Sequence, residues 1–219
     1  MKSGILSRFY ATDRPIVLSV YQLKPRFQAS LRPHVMRLAA AGVTANQVTL
    51  TAAVGSIAIG ALVAWLARYR PMFLLIALWF PARMALNAVD GMLAREFDQK
   101  SRLGAYLNEL CDVVSDAALY FPFALIAPFG PAGVVTVIVL AITSEFAGAL
   151  GPMVGAERQY QGPMGKSDRA VVFGLLALWV GVFAPMPGWL RWLMPIVALL
   201  LLWTIVNRIR GGLRSVDRV

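Results

Sequence analysis

The feature that most constrains this chain is a series of six long apolar segments. A helix needs about 20 apolar residues to cross a hydrocarbon core about 30 Å thick. Hydrophobic residues make up 58% of the 219 residues and charged residues only 15%, compared with about 25% charged residues in an average soluble domain. The sequence therefore predicts an all-α, polytopic membrane protein with six transmembrane helices. The predicted spans cover residues 48–67, 72–94, 103–127, 134–154, 170–184 and 190–206.

A basic amphipathic stretch precedes the first span, between residues 20 and 40. Its apolar residues are spaced by three or four, as on one face of a helix: Leu23, Phe27, Leu31, Val35 and Leu38. Pro25 and Pro33 predict a break or kink within it. We expect an interfacial amphipathic helix on the cytosolic leaflet; a solvated basic linker is the alternative. The chain thus divides into a cytosolic arm with this helix, 1–41, and a transmembrane domain, 42–219.

The basic residues are distributed unequally between the two sides of the predicted membrane domain. Seventeen of the 21 Lys and Arg residues fall on one side and three on the other. Because basic loops remain in the cytosol, both termini are predicted to be cytosolic. The net charge of +10 is then explained by contact with anionic membrane lipids, and no nucleic acid partner is expected.

Acidic and amide residues are concentrated between Asn87 and Asp116, at the cytosolic ends of two predicted spans. Asn87 and Asp90 share one helix face, and Asn108, Asp112 and Asp116 form a stripe at intervals of four residues. The short loop between the two spans predicts antiparallel neighbours whose polar stripes face each other. Converging oxygen ligands suit Mg²⁺ or Mn²⁺, whereas structural ion pairs with basic loop residues are the alternative. A transporter is disfavoured because these acids all lie on one side.

The spacing of these residues resembles the CDP-alcohol phosphotransferase family. The family pattern is D-x2-D-G-x2-A-R-x8-G-x3-D-x3-D, and six of its eight defined positions match at every spacing. The matching run reads Asn87-x2-Asp90-Gly91-x2-Ala94-Arg95-x8-Gly104-x3-Asn108-x3-Asp112. The entry to the first span, from Val43 to Thr49, and the six-span organisation are similar to the family too.

This resemblance implies a phosphotransferase of phospholipid biosynthesis in the bacterial inner membrane, with its active site facing the cytosol. A phosphatidyl-type group would pass from a CDP-alcohol, such as CDP-diacylglycerol, to an acceptor hydroxyl, and CMP would leave. Asp112 would act as the general base, and Mg or Mn would be the cofactor. Nucleotide-binding residues would be Asp90, Gly91, Ala94, Arg95 and Gly104. Metal ligands would be Asn87, Asp90, Asn108, Asp112 and Asp116. A homodimer is also expected.

Two departures from the pattern leave the catalytic state open. Asn87 and Asn108 stand where the family has aspartates, and an amide oxygen can ligate a metal only without charge. Asp116 or Glu109 could substitute for the lost carboxylates. An active enzyme with a modified site, an enzyme with one metal, and a non-catalytic member that binds CDP-lipid or nucleotide as a regulator or partner remain alternatives.

The acceptor is expected near the basic segment 162–169. Lys166 and Arg169 could bind an anionic acceptor, or they could serve as topology-determining charges beside a helix cap. Glu145, within the fourth predicted span, is expected to pair with Arg83 or with a basic loop residue. Amino acid, glycerol phosphate, inositol phosphate and lipid acceptors all remain open.

Overall fold

The computed structural model describes residues 20–183 and 185–216. These residues form seven α-helices and four short 3₁₀ segments, without strands in the described part, so the all-α prediction is confirmed. The predicted arm at residues 1–19 lies outside the described residues. The helices are α1 (Val20–Ala40), α2 (Ala45–Trp65), α3 (Phe73–Glu96), α4 (Arg102–Tyr120), α5 (Gly130–Ala149), α6 (Lys166–Val182) and α7 (Leu193–Val216). The 3₁₀ segments are Arg70–Met72, Phe121–Leu125, Gly151–Val154 and Gly188–Trp192.

Helix α1 is continuous through both prolines, so the predicted break at Pro25 or Pro33 is wrong. The fully buried Val35 packs into a small apolar cluster with Val89, Met92 and other residues of α2 and α3. These contacts hold α1 against α3 and support it independently of local helix propensity. Its location at the membrane interface stays a prediction.

Among the described residues, four helical segments are long and apolar enough to cross a membrane, and the chain is an integral membrane protein. The segments are Ala45–Trp65, Arg70–Glu96, Gly130–Ala149 and Gly188–Ser215. The remaining two predicted spans correspond to α4, which carries several charged residues, and to α6, which has only 17 residues. Six spans therefore stay a prediction, although α4 and α6 pack into the same helical bundle.

Helix α2 packs against both α3 and α4, whereas α3 and α4 make at most marginal backbone contact. The two helices nevertheless meet through side chains, because Arg83 of α3 contacts Asp112 and Asp116 of α4. Their antiparallel arrangement stays a prediction. Close approach of α2 to α4 depends on Gly60, where a β-carbon would overlap the Ala118 carbonyl oxygen. Small residues permit this kind of close packing between membrane helices. The polar residues of α3 and α4 consequently meet through α2 and through long side chains.

An aromatic cluster packs the end of α4 and the 3₁₀ segment after it against α3 and α6. The Tyr120 and Phe173 rings are stacked with centroids 3.8 Å apart, and Phe73 meets Phe123 edge-on at 5.0 Å. Such pairs contribute about 0.5–1.5 kcal/mol beyond the burial of their area. The cluster joins the end of α4 to α6. It therefore determines where the polar part of α4 lies relative to α6.

Side-chain caps fix the polar end of the bundle. Thr44 and Gln47 form a reciprocal capping box at the start of α2. Gln99, in the loop between α3 and α4, accepts a hydrogen bond from the Ala45 N–H at 2.7 Å. Ser101 caps α4 by accepting from the Gly104 N–H at 2.9 Å. The starts of α2 and α4 are therefore tied to the end of α3.

Replacement of Gly60 by alanine should destabilise the protein by about 1–3 kcal/mol, because the added methyl group overpacks the α2–α4 contact. Gly174→Ala is the matched control: its β-carbon would lie 3.5 Å from Phe80, an ordinary contact. Thermal unfolding in detergent micelles should show a lower midpoint for Gly60→Ala and an unchanged or higher one for Gly174→Ala. Equal midpoints for Gly60→Ala and the unmodified protein would contradict the packing.

Candidate functional site

A cavity of about 680 Å³ opens between the start of α2, the end of α3 and the start of α4. The structure brings all five predicted nucleotide-binding residues to its wall: Asp90, Gly91, Ala94, Arg95 and Gly104. Asn108 also lines it, whereas Asn87, Asp112 and Asp116 do not appear among its lining residues. Most residues of the sequence pattern therefore line one cavity, although three predicted metal ligands are not among its lining residues.

Hydrogen bonding and charge make this cavity suitable for an anion beside a carboxylate. Asp90 is 5% exposed and accepts a hydrogen bond from the Thr49 hydroxyl at 2.8 Å. The Arg95 guanidinium lies across Gly91, where a β-carbon would be 3.0 Å from one of its nitrogens. Lys100 and Arg102 add two further cations to the wall. Guanidinium and ammonium groups of this kind bind phosphate oxygens.

Asp112 lies beside the cavity and is paired with two cations. Lys166 Nζ lies 2.5 Å from Asp112 Oδ2, and an Arg83 terminal nitrogen lies 3.5 Å from Asp112 Oδ1. Lys166 was predicted from sequence as an acceptor-binding residue, and the structure places it against Asp112 of the pattern.

Asp116 occupies a different environment, deep within the bundle. It is 4% exposed, and its carboxylate lies 2.5 Å from an Arg83 nitrogen and 3.0 Å from an Arg169 nitrogen. Arg169 in turn contacts Glu145 at 2.9 Å, and Arg208 contacts Glu145 at 3.2 Å. Both Asp116 oxygens are thereby engaged by arginines, which favours a structural role over metal ligation.

The pairing of Asp116 with Arg83 was missed at the sequence level, although a signal existed. Both residues lie within predicted spans, and an ionisable group there requires a partner. Glu145 pairs with Arg158 at 3.2 Å, so its predicted pairing with a basic loop residue is confirmed and the Arg83 alternative is wrong. Arg208 was not identified as a partner from sequence.

Arg158 links the loop before α6 to two helices. Its guanidinium forms ion pairs with Glu109 of α4 and Glu145 of α5. Burial lowers the pKa of Arg158 from its ordinary value, but arginine remains a cation because that ordinary value lies above about 12. The Glu109 carboxylate is therefore occupied by an ion pair. Separately, Asp168 caps α6 by accepting a hydrogen bond from the Gly165 N–H.

The donor set does not fit a pair of divalent cations. Within the described residues, no group of three or more carboxylate, histidine or cysteine side chains converges as a metal-binding cluster. The set instead fits one divalent cation at Asp90, with neutral amide oxygens nearby, since Mg²⁺ is commonly held by one or two carboxylates together with substrate phosphates. The buried Nδ2 of Asn87 has no hydrogen-bond partner in the described structure; because an amide nitrogen is a donor, only the amide oxygen of Asn87 could serve as a neutral ligand.

Removal of the Asp116 carboxylate should destabilise the protein by about 3–5 kcal/mol, because Arg83 and Arg169 would remain as uncompensated buried charges. The matched control is Arg32→Gln, which breaks the exposed Arg32–Glu96 pair and should cost less than about 1 kcal/mol. Heating in detergent followed by size-exclusion chromatography gives the measurement. Asp116→Ala and Arg32→Gln proteins with equal midpoints would contradict the structural role.

The chain is similar in sequence to known proteins. The chain is 45% identical over 199 residues to inner membrane protein YnbA of Escherichia coli (strain K12), a match covering 90% of this chain and 97% of that protein. It is 31% identical over 107 residues to archaetidylinositol phosphate synthase of Pyrococcus horikoshii, covering 48% of this chain and 53% of that protein.

The fold matches crystal structures of a Mycobacterium tuberculosis phosphatidylinositol phosphate synthase at 22% sequence identity. The structure with bound CDP-DAG gives a TM-score of 0.69 over 82% of this chain and 92% of that chain. The structure in complex with manganese and citrate gives 0.66 over 82% and 87%. The family model described as CDP-alcohol phosphatidyltransferase matches residues 42–204, and the chain belongs to this family.

Proposed function

We propose that this protein transfers a phosphatidyl-type group from a CDP-alcohol, such as CDP-diacylglycerol, to an acceptor hydroxyl and releases CMP. The observation that carries the proposal is the cavity in which the five matched nucleotide-binding residues converge. Family membership supports a transferase of phospholipid synthesis. The name of the Escherichia coli relative supports a location in the bacterial inner membrane.

The cavity wall provides the groups that a nucleotide diphosphate requires. Arg95, Lys100 and Arg102 supply positive charge for the two phosphates, and Gly91 and Gly104 keep the wall free of side chains. A β-carbon at Gly104 would lie 2.8 Å from the Asn46 side-chain oxygen, so this glycine also permits the approach of α4 to α2. The sugar and base would occupy the remaining cavity between α2 and α4.

The reaction then requires a base beside the donor phosphate. The acceptor oxygen would form a bond to the phosphorus that carries the alcohol, while the bond from that phosphorus to the CMP oxygen breaks. Asp112 would take the acceptor proton. Its Oδ1 atom is the suitable oxygen, because Oδ2 is held by Lys166 at 2.5 Å whereas the Arg83 contact to Oδ1 is 3.5 Å.

A single divalent cation, Mg²⁺ or Mn²⁺, fits this site beside Asp90. Such an ion, when bound, neutralises charge on the phosphates and on the leaving group. Asp90 would be its charged ligand, with Asn87 and Asn108 as neutral oxygen donors. Thr49 keeps the Asp90 carboxylate oriented through its hydrogen bond of 2.8 Å.

The two predicted acceptor residues take separate parts in the proposal. Lys166 is partly exposed beside Asp112 and can meet an acceptor. Arg169 is 1% exposed and held by Asp116 and Glu145, so it supports the site from within the bundle.

Six spans with a cytosolic active site belong to the proposal, because α4 and α6 carry the site and pack among the four apolar spans. The homodimer stays a prediction.

A non-catalytic protein that binds CDP-lipid is the second candidate function. It is favoured by Asn87 and Asn108, which remove two carboxylates from the pattern, and by the Lys166 ion pair, which already occupies one oxygen of Asp112. The two candidates share the cavity and the donor ligand. They differ in whether the bond to CMP breaks.

Purified protein with Mg²⁺ or Mn²⁺, CDP-diacylglycerol and candidate acceptors should release CMP. Asp112→Asn keeps the shape of the side chain but removes the base, and should lower the rate by about 10²–10⁴-fold while CDP-diacylglycerol still binds. The control is Glu157→Gln, at an exposed carboxylate away from the cavity, which should leave the rate unchanged. Binding of CDP-diacylglycerol without CMP release for amino acid, phosphorylated polyol and lipid acceptors would favour the second candidate.

A further inference from the structure

The charges at the site are out of balance with the family pattern. Four aspartates in the pattern carry four negative charges, whereas this chain retains only Asp90 and Asp112 at those positions. The amides at Asn87 and Asn108 contribute no charge. Four carboxylates balance two divalent cations, whereas the two that remain here balance only one.

A protein cation already contacts Asp112, the carboxylate at which a second metal ion would have to bind. Lys166 Nζ lies 2.5 Å from Asp112 Oδ2. Both side chains are partly shielded, with 27% of Lys166 and 19% of Asp112 exposed. A second metal ion at Asp112 would have to displace this ammonium or lie close to it, and two cations at that separation repel strongly in a partly desolvated site.

The surrounding structure fixes Lys166 in this position. Lys166 is the first residue of α6, and Asp168 caps this helix by accepting from the Gly165 N–H at 2.9 Å. Arg169, three residues further on, is locked between Asp116 and Glu145 at 3.0 and 2.9 Å. The first turn of α6 is thus held at both its cap and its buried side, so the ammonium is presented to Asp112 by a rigid element.

We propose that the Lys166 ammonium takes the place of a second divalent cation at Asp112, so that this protein binds one divalent cation at Asp90. The inference deepens the proposed function, on which it rests for the identity of the site. The two amides and the lysine then act together. The replacement of two carboxylates by Asn87 and Asn108 removes the negative charge that a second ion needs, and Lys166 neutralises the Asp112 carboxylate. Lys166 then has a second role in addition to any contact with an acceptor.

Counting of bound Mn²⁺ tests this directly. Purified protein in detergent is titrated with Mn²⁺ alone, and free Mn²⁺ is measured by electron paramagnetic resonance. The unmodified protein should bind one ion per chain. The variant Asn87→Asp/Asn108→Asp/Lys166→Gln should bind two, whereas Asn87→Asp/Asn108→Asp with Lys166 retained should bind the second ion at least about 10-fold more weakly, because of repulsion by the ammonium.

Matched variants separate the local effect of Lys166 from loss of any positive charge. Lys100 lines the cavity but has no ion pair with Asp112 in the described structure. Lys100→Gln, added to the two aspartate substitutions, should leave the second ion weak, and so should the conservative Lys166→Arg. In the otherwise unmodified protein, Lys166→Gln should tighten the single Mn²⁺ by at least about 10-fold, and Lys100→Gln should have a smaller effect.

Several results would overturn the inference. These are two ions or none bound to the unmodified protein, one ion bound to the triple variant, and equal effects of Lys100→Gln and Lys166→Gln. If the triple variant does not fold, judged by its thermal unfolding, the two single substitutions decide the question alone. Because ion counting needs no turnover, one bound ion with the expected Lys166 effects but no CMP release would refute the proposed function and leave the inference standing.

Discussion

The buried carboxylate of Asp116 is the interaction on which the rest of the structure depends. An ionised group within a membrane domain is tolerated only with a partner, and Asp116 has two, Arg83 from α3 and Arg169 from α6. Arg169 extends the network to Glu145 of α5, which is also contacted by Arg208 of α7. One connected set of ion pairs therefore joins five helices, and the separation of any of these helices would leave a buried charge without its partner.

The candidate site lies at the exposed end of this network. Asp112 precedes Asp116 by one helical turn on α4, and Arg83 contacts both carboxylates. Lys166 precedes Arg169 by three residues on α6 and reaches Asp112 from the other side. The buried ion pairs of Asp116 thus determine the position and rotation of α4 and α6. As a consequence, Lys166 lies beside Asp112 and forms the partly exposed ion pair with it. Structural and reactive carboxylates differ here in burial and in the number of arginines they meet, not in residue type.

The apolar runs of the sequence predicted the membrane class, and the resemblance to the CDP-alcohol phosphotransferase pattern implied the residues of the cavity. Neither predicted which helix each face would meet. The backbones of α3 and α4 both pack against α2, and α3 meets α4 through the long side chain of Arg83. A helix stripe also could not distinguish Asp112 from Asp116, since both lie on it. Only the positions of Arg83 and Arg169 in three dimensions separate a buried ion pair from a carboxylate beside a cavity.

The electrostatics of the site follow from these positions without reference to catalysis. The Lys166 ammonium lies 2.5 Å from Asp112 Oδ2, whereas the Arg83 contact to Oδ1 is 3.5 Å long, so the two carboxylate oxygens are not equivalent. An acceptor hydroxyl that gives its proton to Asp112 would therefore have to reach Oδ1, because Oδ2 is already occupied by the ammonium. The Lys166 pair thus restricts how the acceptor can approach Asp112, whereas Asn87 and Asn108 restrict the negative charge available to a metal ion.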